Sequence, residues 1–330
     1  MAVPTVVTDW AGPMVYPSVS VIVPIYNGEP DLPALLAGLM GQEYPPEQVE
    51  YCLVDNGSDD LTPQMLQAAV QTGQERGLQF HALPYAAIQS SYAARNAGLA
   101  IARGDILAFT DADCQPAPDW LATLVQPFSH ATVGLVAGEI KALPSTNWLE
   151  RYADRQNTLS QHNTLNHPYR PYGQTANLAV RASILQQIGL FRPHLTTGGD
   201  ADLCWRLQQE TDWQIVHAAN AVVYHRHRNS LKGLQRQWYR YGCSNRYLQE
   251  LHNVELMRPL TGREVRYRLL RWGLKELPQA TLKLFTSQGT ALDLAITPLD
   301  LWCTYARTQG QAQARLPENA RTIAHLGEDT

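Results

Sequence analysis

From residue 18 onward, short apolar runs alternate with segments of helical spacing. Ser18-Val19-Ser20-Val21-Ile22-Val23-Pro24 is rich in β-formers and stops at a proline, which marks a strand. Leucines at 32, 35, 36 and 39 put one apolar face on a helix over 32–42. Tyr51-Cys52-Leu53-Val54 predicts a second strand, ending in Asp55. Thr62-Pro63 opens a helix reaching about Arg76, with proline where its missing N–H costs nothing. A strand over 78–83 and a helix over 91–102 follow. The next run, Ile106 to Phe109, lies between Gly104 and Pro116 and reads as a buried strand ending in Thr110-Asp111-Ala112-Asp113. This alternation predicts an α/β fold, a mostly parallel sheet with helices on both faces.

Later elements are less regular. The pattern predicts a helix over 119–129, a strand over 133–140, a helix over 182–188 and a helix from Asp200 through Glu210, with Asp200 as its N-cap after two glycines. Residues 148–165 are poorly periodic and suit a substrate-facing helix or a mobile loop. Ala221 to Tyr224 reads as a strand closed by His225. The longest uncharged stretch, residues 120–138, is interrupted by Gln126-Pro127 and Ser129-His130, so no spanning helix is expected.

Composition and charge add four points. A chain of 330 residues exceeds what one core usually fills, and its 45% hydrophobic and 17% charged residues describe a globular protein. Five dispersed cysteines with no CxxC pair argue against a disulfide framework or a thiolate metal site and for a reducing compartment. Residues 1–17 lack a basic start followed by an apolar core, so no secretory signal is expected there. The net charge of −4 conceals a division: residues 226–283 hold 13 of the 26 basic residues but only 4 of the 30 acidic ones, a local +9 against −13 elsewhere.

Asp111 and Asp113 are the first chemical candidates. In an open α/β sheet, ligands bind in the crevice outside the carboxyl ends of the strands, where this pair would sit. Paired carboxylates attract a hard divalent cation, commonly shared with phosphates; the alternative is a strand end closed by aspartates in a turn. The first strand-to-helix turn, Pro24-Ile25-Tyr26-Asn27-Gly28-Glu29-Pro30, has one glycine where a dinucleotide fingerprint needs three, and no GxxxxGK[ST] loop exists. A phosphate would therefore be held by something other than a glycine cradle, and a metal on Asp111 and Asp113 would serve.

Val23-Pro24-Ile25-Tyr26-Asn27, Val54-Asp55-Asn56-Gly57-Ser58, and Ala94-Arg95-Asn96-Ala97-Gly98 leading to Thr110-Asp111-Ala112-Asp113 resemble the nucleotide-sugar domain of family 2 glycosyltransferases, which have the GT-A fold. The resemblance continues through Thr175 to Arg181 and Gly199 to Arg206, in order over roughly residues 18–245. It implies an inverting transfer of a sugar from a nucleotide-sugar donor, UDP-linked by preference, to a saccharide or lipid-linked acceptor. It implies that Pro24, Tyr26, Asn27, Asp55, Arg95 and Asp111 line the donor site, Tyr26 stacking on the base and Asp55 hydrogen-bonding it. Asp113 would bind Mn²⁺ or Mg²⁺ on the diphosphate, with His225 completing the metal site; a structural hydrogen bond is the other use of that histidine. Asp200 corresponds to the family's general base, with Asp202 as the alternative. The residue before Asp200 is Gly199 rather than the usual glutamate, which leaves open a catalytically silent nucleotide-sugar-binding or scaffold module.

The expected partition is an extension over 1–17, a catalytic domain over 18–228 (nucleotide part 18–115, acceptor part 116–228), a basic helical region over 229–308 and a polar, disordered tail over 309–330. Basic residues interleaved with Leu, Tyr and Trp in 230–275 suit either a helix in an anionic membrane interface or arginines pairing with the acidic catalytic domain. No nucleic-acid recognition motif accompanies them. The resulting expectation is a cytoplasmic enzyme, peripheral at the inner face of the membrane.

Overall fold

A computed structural model describes residues 16–286 and 289–326; the expected extension up to residue 15 and the last four residues of the tail lie outside the described residues. The chain forms two compact units. The first comprises residues up to Lys141, Leu159–His225 and the segment from Pro317 onward; the second comprises Ala142–Thr158 and Arg226–Leu316.

The first unit is built on a sheet of eight strands: β1 (Val19–Ile25), β2 (Val49–Asp55), β3 (Gln79–Pro84), β4 (Ile106–Thr110), β5 (Cys114–Pro116), β6 (Val133–Ala142), β7 (Asn177–Arg181) and β8 (Gln214–His225), in the order β3-β2-β1-β4-β7-β6-β8-β5. The four strands β3, β2, β1 and β4 run parallel. Every residue of β1 and β4 is buried, which is why they read as unbroken apolar runs. Beyond β4 the sheet becomes mixed, because β7 lies antiparallel between β4 and β6. The helices are α1 (Leu32–Met40), α2 (Thr62–Glu75), α3 (Ser91–Ile101), α4 (Trp120–Val125), α6 (Gln161–Leu165), α7 (Ala182–Ile188) and α8 (Gly199–Glu210), with α5 (Trp148–Arg155) belonging to the second unit.

From β1 the chain steps outward to β2 and β3, then returns to the other side of β1 as β4. That reversal opens a crevice between the carboxyl ends of β1 and β4, the place where open sheets hold ligands. Two features differ from the sequence pattern. The tail is not disordered through residue 326: its first residues continue a helix to Gln313, and the segment from Pro317 packs on the first unit. Ala320 is fully buried, and the Leu190 amide donates to the Ala324 carbonyl at 2.7 Å. Residues 148–165 are divided between the units, with α5 in the second and α6 in the first.

The second unit is helical: besides α5 it holds α9 (Leu231–His252), α10 (Gly262–Arg271), α11 (Leu277–Phe285) and α12 (Ile296–Gln313), with a π-helical turn over Trp272–Glu276 joining α10 to α11. Leu149, Tyr152, Leu234, Leu292, Leu299 and Cys303 form its small core. Helices α9 and α12 meet backbone to backbone. A Cβ on Gly242 would fall 2.0 Å from the Arg307 carbonyl oxygen, and one on Gly310 2.0 Å from the Tyr239 carbonyl oxygen. Neither neighbour can rotate away, so Gly242→Ala should destabilise this unit by at least the ~1–3 kcal/mol typical of overpacking, read as a lower urea midpoint.

Candidate active site

The crevice gathers residues from six elements of the first unit. Register pairs Pro24 with Val54 and Ile25 with Asp55, so Tyr26 and Asp55 leave the sheet from adjacent strand ends. The two loops lock together. The Asn27 amide donates to Ser58 Oγ at 2.9 Å, the Asp59 amide donates to Asn27 Oδ1 at 3.0 Å, and the Ser58 amide donates to Asp55 Oδ1 at 3.0 Å. Asn27 holds a left-handed conformation (φ 50°), which asparagine tolerates better than most residues. Tyr26 stays 52% exposed, its ring uncommitted to the core. Ser58 takes part in two of these three hydrogen bonds.

On the other side of the crevice, α3 begins at a capped end: Ser90 Oγ accepts from the Tyr92 amide at 3.2 Å. Its first turns deliver Arg95, buried, with a guanidinium nitrogen 2.5 Å from Asp111 Oδ1 and the group lying over the Tyr92 ring at 5.5 Å. Arg95 Nε is buried without a hydrogen-bond partner. Asp111 directly follows β4 and opens a tight turn in which the Cys114 amide donates to the Asp111 carbonyl. Burial pushes the Asp111 carboxyl above its ordinary range; Arg95 opposes the shift, Asp113 and Asp200 add to it, and His225 opposes it. A third of this side chain (34%) still reaches the crevice. Repulsion among the three carboxylates is thus aimed at space a ligand can enter, where a cation would relieve it.

The strand pair that brings Asp113 to His225 is short. β5 runs antiparallel to β8 with Cys114 opposite His225, so the histidine arrives from far along the chain with Nε2 3.2 Å from Asp113 Oδ2. Among the described residues, no group of three or more His, Cys, Asp or Glu side chains is arranged to enclose a metal ion.

Asp200 and Asp202, two residues apart, have different fates. Helix α8 is capped by Gly198 in the left-handed conformation (φ 82°), not by Asp200, so the expected N-cap role is replaced by a position inside the first turn. Asp200 faces Thr175, whose Oγ1 donates to Oδ1 at 3.0 Å and whose amide donates to Oδ2 at 3.3 Å. Thr175 precedes β7, and this steadying contact was not legible locally. Asp202 is fully buried, with Arg192 at 3.0 Å on one oxygen and Arg206 at 3.1 Å on the other. Both oxygens of Asp202, the expected alternative base, are thus engaged by arginines inside the protein, whereas Asp200 faces Thr175.

The glycine before Asp200 has a steric cause. A Cβ on Gly199 would lie 2.7 Å from the ring of Tyr92, which is buried and stacks on Phe191 at 5.6 Å. The aromatic ring fills the space that any side chain at 199 would need.

Two family models match the chain: Glycosyl transferase family 2 over residues 20–189, and Glycosyl transferase family group 2 over residues 106–305. Among curated proteins, the chain is 30% identical over 243 residues to the glycosyltransferase AglE of Haloferax volcanii, covering 73% of this chain and 77% of that one. It is 30% identical over 225 residues to the pre-mycofactocin glycosyltransferase of Mycobacterium tuberculosis, covering 65% of this chain and 44% of the relative. It is 31% identical over 216 residues to the undecaprenyl-phosphate 4-deoxy-4-formamido-L-arabinose transferase of Pseudomonas aeruginosa, covering 62% of this chain and 58% of the relative. The chain thus spans only about half the length of the last two. Among solved structures, the mannosyltransferase PcManGT from Pyrobaculum calidifontis, in complex with GDP-Man and Mn²⁺, superposes with a TM-score of 0.61 at 19% identity, covering 91% of this chain and 87% of that one. These likenesses, on a fold whose crevice collects Asp55, Asp111 and Asp113 from strand ends and Asp200 from the first turn of α8, place the chain in glycosyl transferase family 2, as a glycosyltransferase with a GT-A-like fold.

Proposed function

We propose that the protein inverts the anomeric centre of a nucleotide-activated sugar, UDP-linked by preference, while transferring it to a saccharide or lipid-linked acceptor. The observation that carries this reading is the convergence of Asp111, Asp113, Asp200 and His225 on one crevice at the β1/β4 reversal. Tyr26 offers an exposed ring face for the base. Asp55 keeps a carboxylate oxygen beyond the one that accepts from Ser58, and it is the acceptor for the base N–H. Pro24 and Asn27 shape the loop beneath. Arg95 holds Asp111 in place for the ribose or the donor sugar.

The donor set fits a hard divalent ion shared with a diphosphate. Asp113 supplies a carboxylate and His225 an imidazole, and such an ion needs only one or two protein carboxylates when phosphate oxygens and water complete its shell. Bound there, Mn²⁺ or Mg²⁺ would supply charge neutralisation on the departing nucleoside diphosphate. The solved relative bound to GDP-Man and Mn²⁺ supports an ion of this class. Asp200, steadied by Thr175, takes the acceptor proton from the face opposite the leaving group. The Pseudomonas relative, named for undecaprenyl phosphate, supports a lipid-linked acceptor as one of the two classes.

Titration with UDP-sugars and GDP-mannose, with and without Mn²⁺, tests the donor side. Asp113→Ala should weaken donor binding about ten-fold or more in the presence of the ion and leave metal-free binding unchanged. His225→Ala should do the same to a smaller extent. Equal metal dependence in Asp113→Ala and the parent would move the ion elsewhere, and a folded protein that binds no nucleotide sugar under any condition would end this reading.

A further inference from the structure

We propose that the helical run Gly262–Phe285 of the second unit is a docking surface for an anionic lipid bilayer, lying in the interface with its apolar stripe in the acyl boundary. Along α10, the π-helical turn and α11, the exposed residues Tyr267, Leu270, Leu274, Pro278, Leu282 and Phe285 are spaced by three or four positions, the step of one helix face. Leu274 is 81% exposed and Phe285 84%, values foreign to leucine and phenylalanine packed in a core. No residue of α10 is buried, and in α11 only Ala280 is.

The opposite face is the one anchored to protein. Trp272 Nε1 donates to the Leu294 carbonyl at 2.9 Å, and Thr297 Oγ1 donates to Glu276 at 2.5 Å. The stripe therefore points outward by construction. A contiguous exposed apolar stripe of this size on a folded protein marks an interaction site.

Charge selects the occupant. The run carries Arg263, Arg266, Arg268, Arg271, Lys275 and Lys283 against Glu264 and Glu276. Arg263 and Arg266 border the stripe on one side and Arg271 and Lys275 on the other, by helical position. Both acids are engaged: Glu264 caps α10 and pairs with Arg258, and Glu276 pairs with Arg271 at 2.5 Å. A second copy of the chain would set like charges against like across such a stripe. An anionic bilayer instead offers acyl chains to the centre and phosphates to both borders, with the basic side chains lying along the interface. Among the described residues no helix is long and apolar enough to cross a membrane, so the surface lies on the bilayer and does not span it.

This surface goes beyond the transfer chemistry and is tested apart from it. Flotation of the full chain with vesicles of phosphatidylcholine, alone or mixed with phosphatidylglycerol, at low and high salt, should show partition that needs the anionic lipid and falls with salt. The double variant Leu274→Glu/Phe285→Glu should lower that partition about a hundred-fold, and Arg266→Gln/Lys275→Gln about ten-fold on anionic vesicles only. Unchanged thermal melting shows that these exposed substitutions leave the fold intact, and Leu274→Gln alone is the milder variant should the double one melt early. Absence of parent binding to anionic vesicles at low salt, or equal binding by the glutamate variant, overturns the proposal. So does a parent dimer in sedimentation that the glutamate variant turns to monomer, because the stripe is then covered by a second copy. Nucleotide-sugar titration without vesicles separates the two readings, since the glutamate variant should match the parent there.

Discussion

Asp200→Asn should lower turnover on a hydroxyl acceptor by about 10²- to 10⁴-fold while leaving nucleotide-sugar affinity and melting temperature unchanged. The amide keeps the shape and can still accept from Thr175, whose Oγ1 and amide hold the carboxylate from opposite oxygens. It loses the ability to take a proton, together with the negative charge and one of the two acceptor oxygens. Because the base acts on the acceptor in the transition state, the loss belongs to kcat and not to donor binding. The same variant distinguishes the acceptor classes. A hydroxyl must lose its proton as the new bond forms, whereas a phosphate group, with a second ionisation near pH ~6, is already an anion at neutral pH. A deficit below about ten-fold on a phosphate-bearing acceptor would therefore leave the transfer reading standing and assign the acceptor as phosphate. A deficit that small on a hydroxyl acceptor would remove Asp200 from the base role. Steady-state kinetics with both acceptor types makes the measurement.

Two residues along the same helix, Asp202→Ala should act on the fold. Its carboxylate is fully buried between Arg192 and Arg206, and the Arg206 guanidinium also donates to the Leu190 carbonyl at 2.7 Å and to the Ile188 carbonyl. Removing the aspartate leaves a buried guanidinium without its counter-charge, a loss on the order of 3–5 kcal/mol. In thermal denaturation that corresponds to a fall in Tm on the order of 10 °C. The damage reaches the loop that Arg206 ties down, residues 188–190, against which Ala324 is also bonded. Asp202→Asn should lose less, since the amide oxygen still accepts from one arginine. If Asp202→Ala melts with the parent, the ion-pair triad is not holding this end of the helix.

The steric cause of Gly199 bears on how relatives are compared. A glutamate in that position requires an empty volume beside the first turn of α3, and here the ring of Tyr92 occupies it. Tyr92 also lies under Arg95, which pairs with Asp111. Packing that excludes a side chain at 199 thus also supports the donor-side arginine.

The features legible along the chain are local ones. Strands β1, β2, β3 and β4 and helices α1, α2 and α3 were legible because each is a short segment whose periodicity and end residues belong to itself, and parallel strands buried on both faces read as plain apolar runs. Asp55 and Asp111 were placed at strand ends for the same reason. The tertiary structure alone decided what depends on residues far apart in the chain. β5 has three residues, too few to show a period, yet its register against β8 carries His225 to Asp113. β7 turns the sheet antiparallel, and Thr175 just before it reaches Asp200. Asp200 and Asp202 look alike to any local reading, since both stand in the first turn of α8. Arg192, supplied from outside that helix, pairs with one and buries it, while the other is left facing the crevice. The tail past Gln309 reads as polar, but Ala320 and Ala324 are buried in the fold. A carboxylate's chemistry is set by what desolvates and pairs with it, and those partners are chosen by the fold, not by its neighbours in sequence.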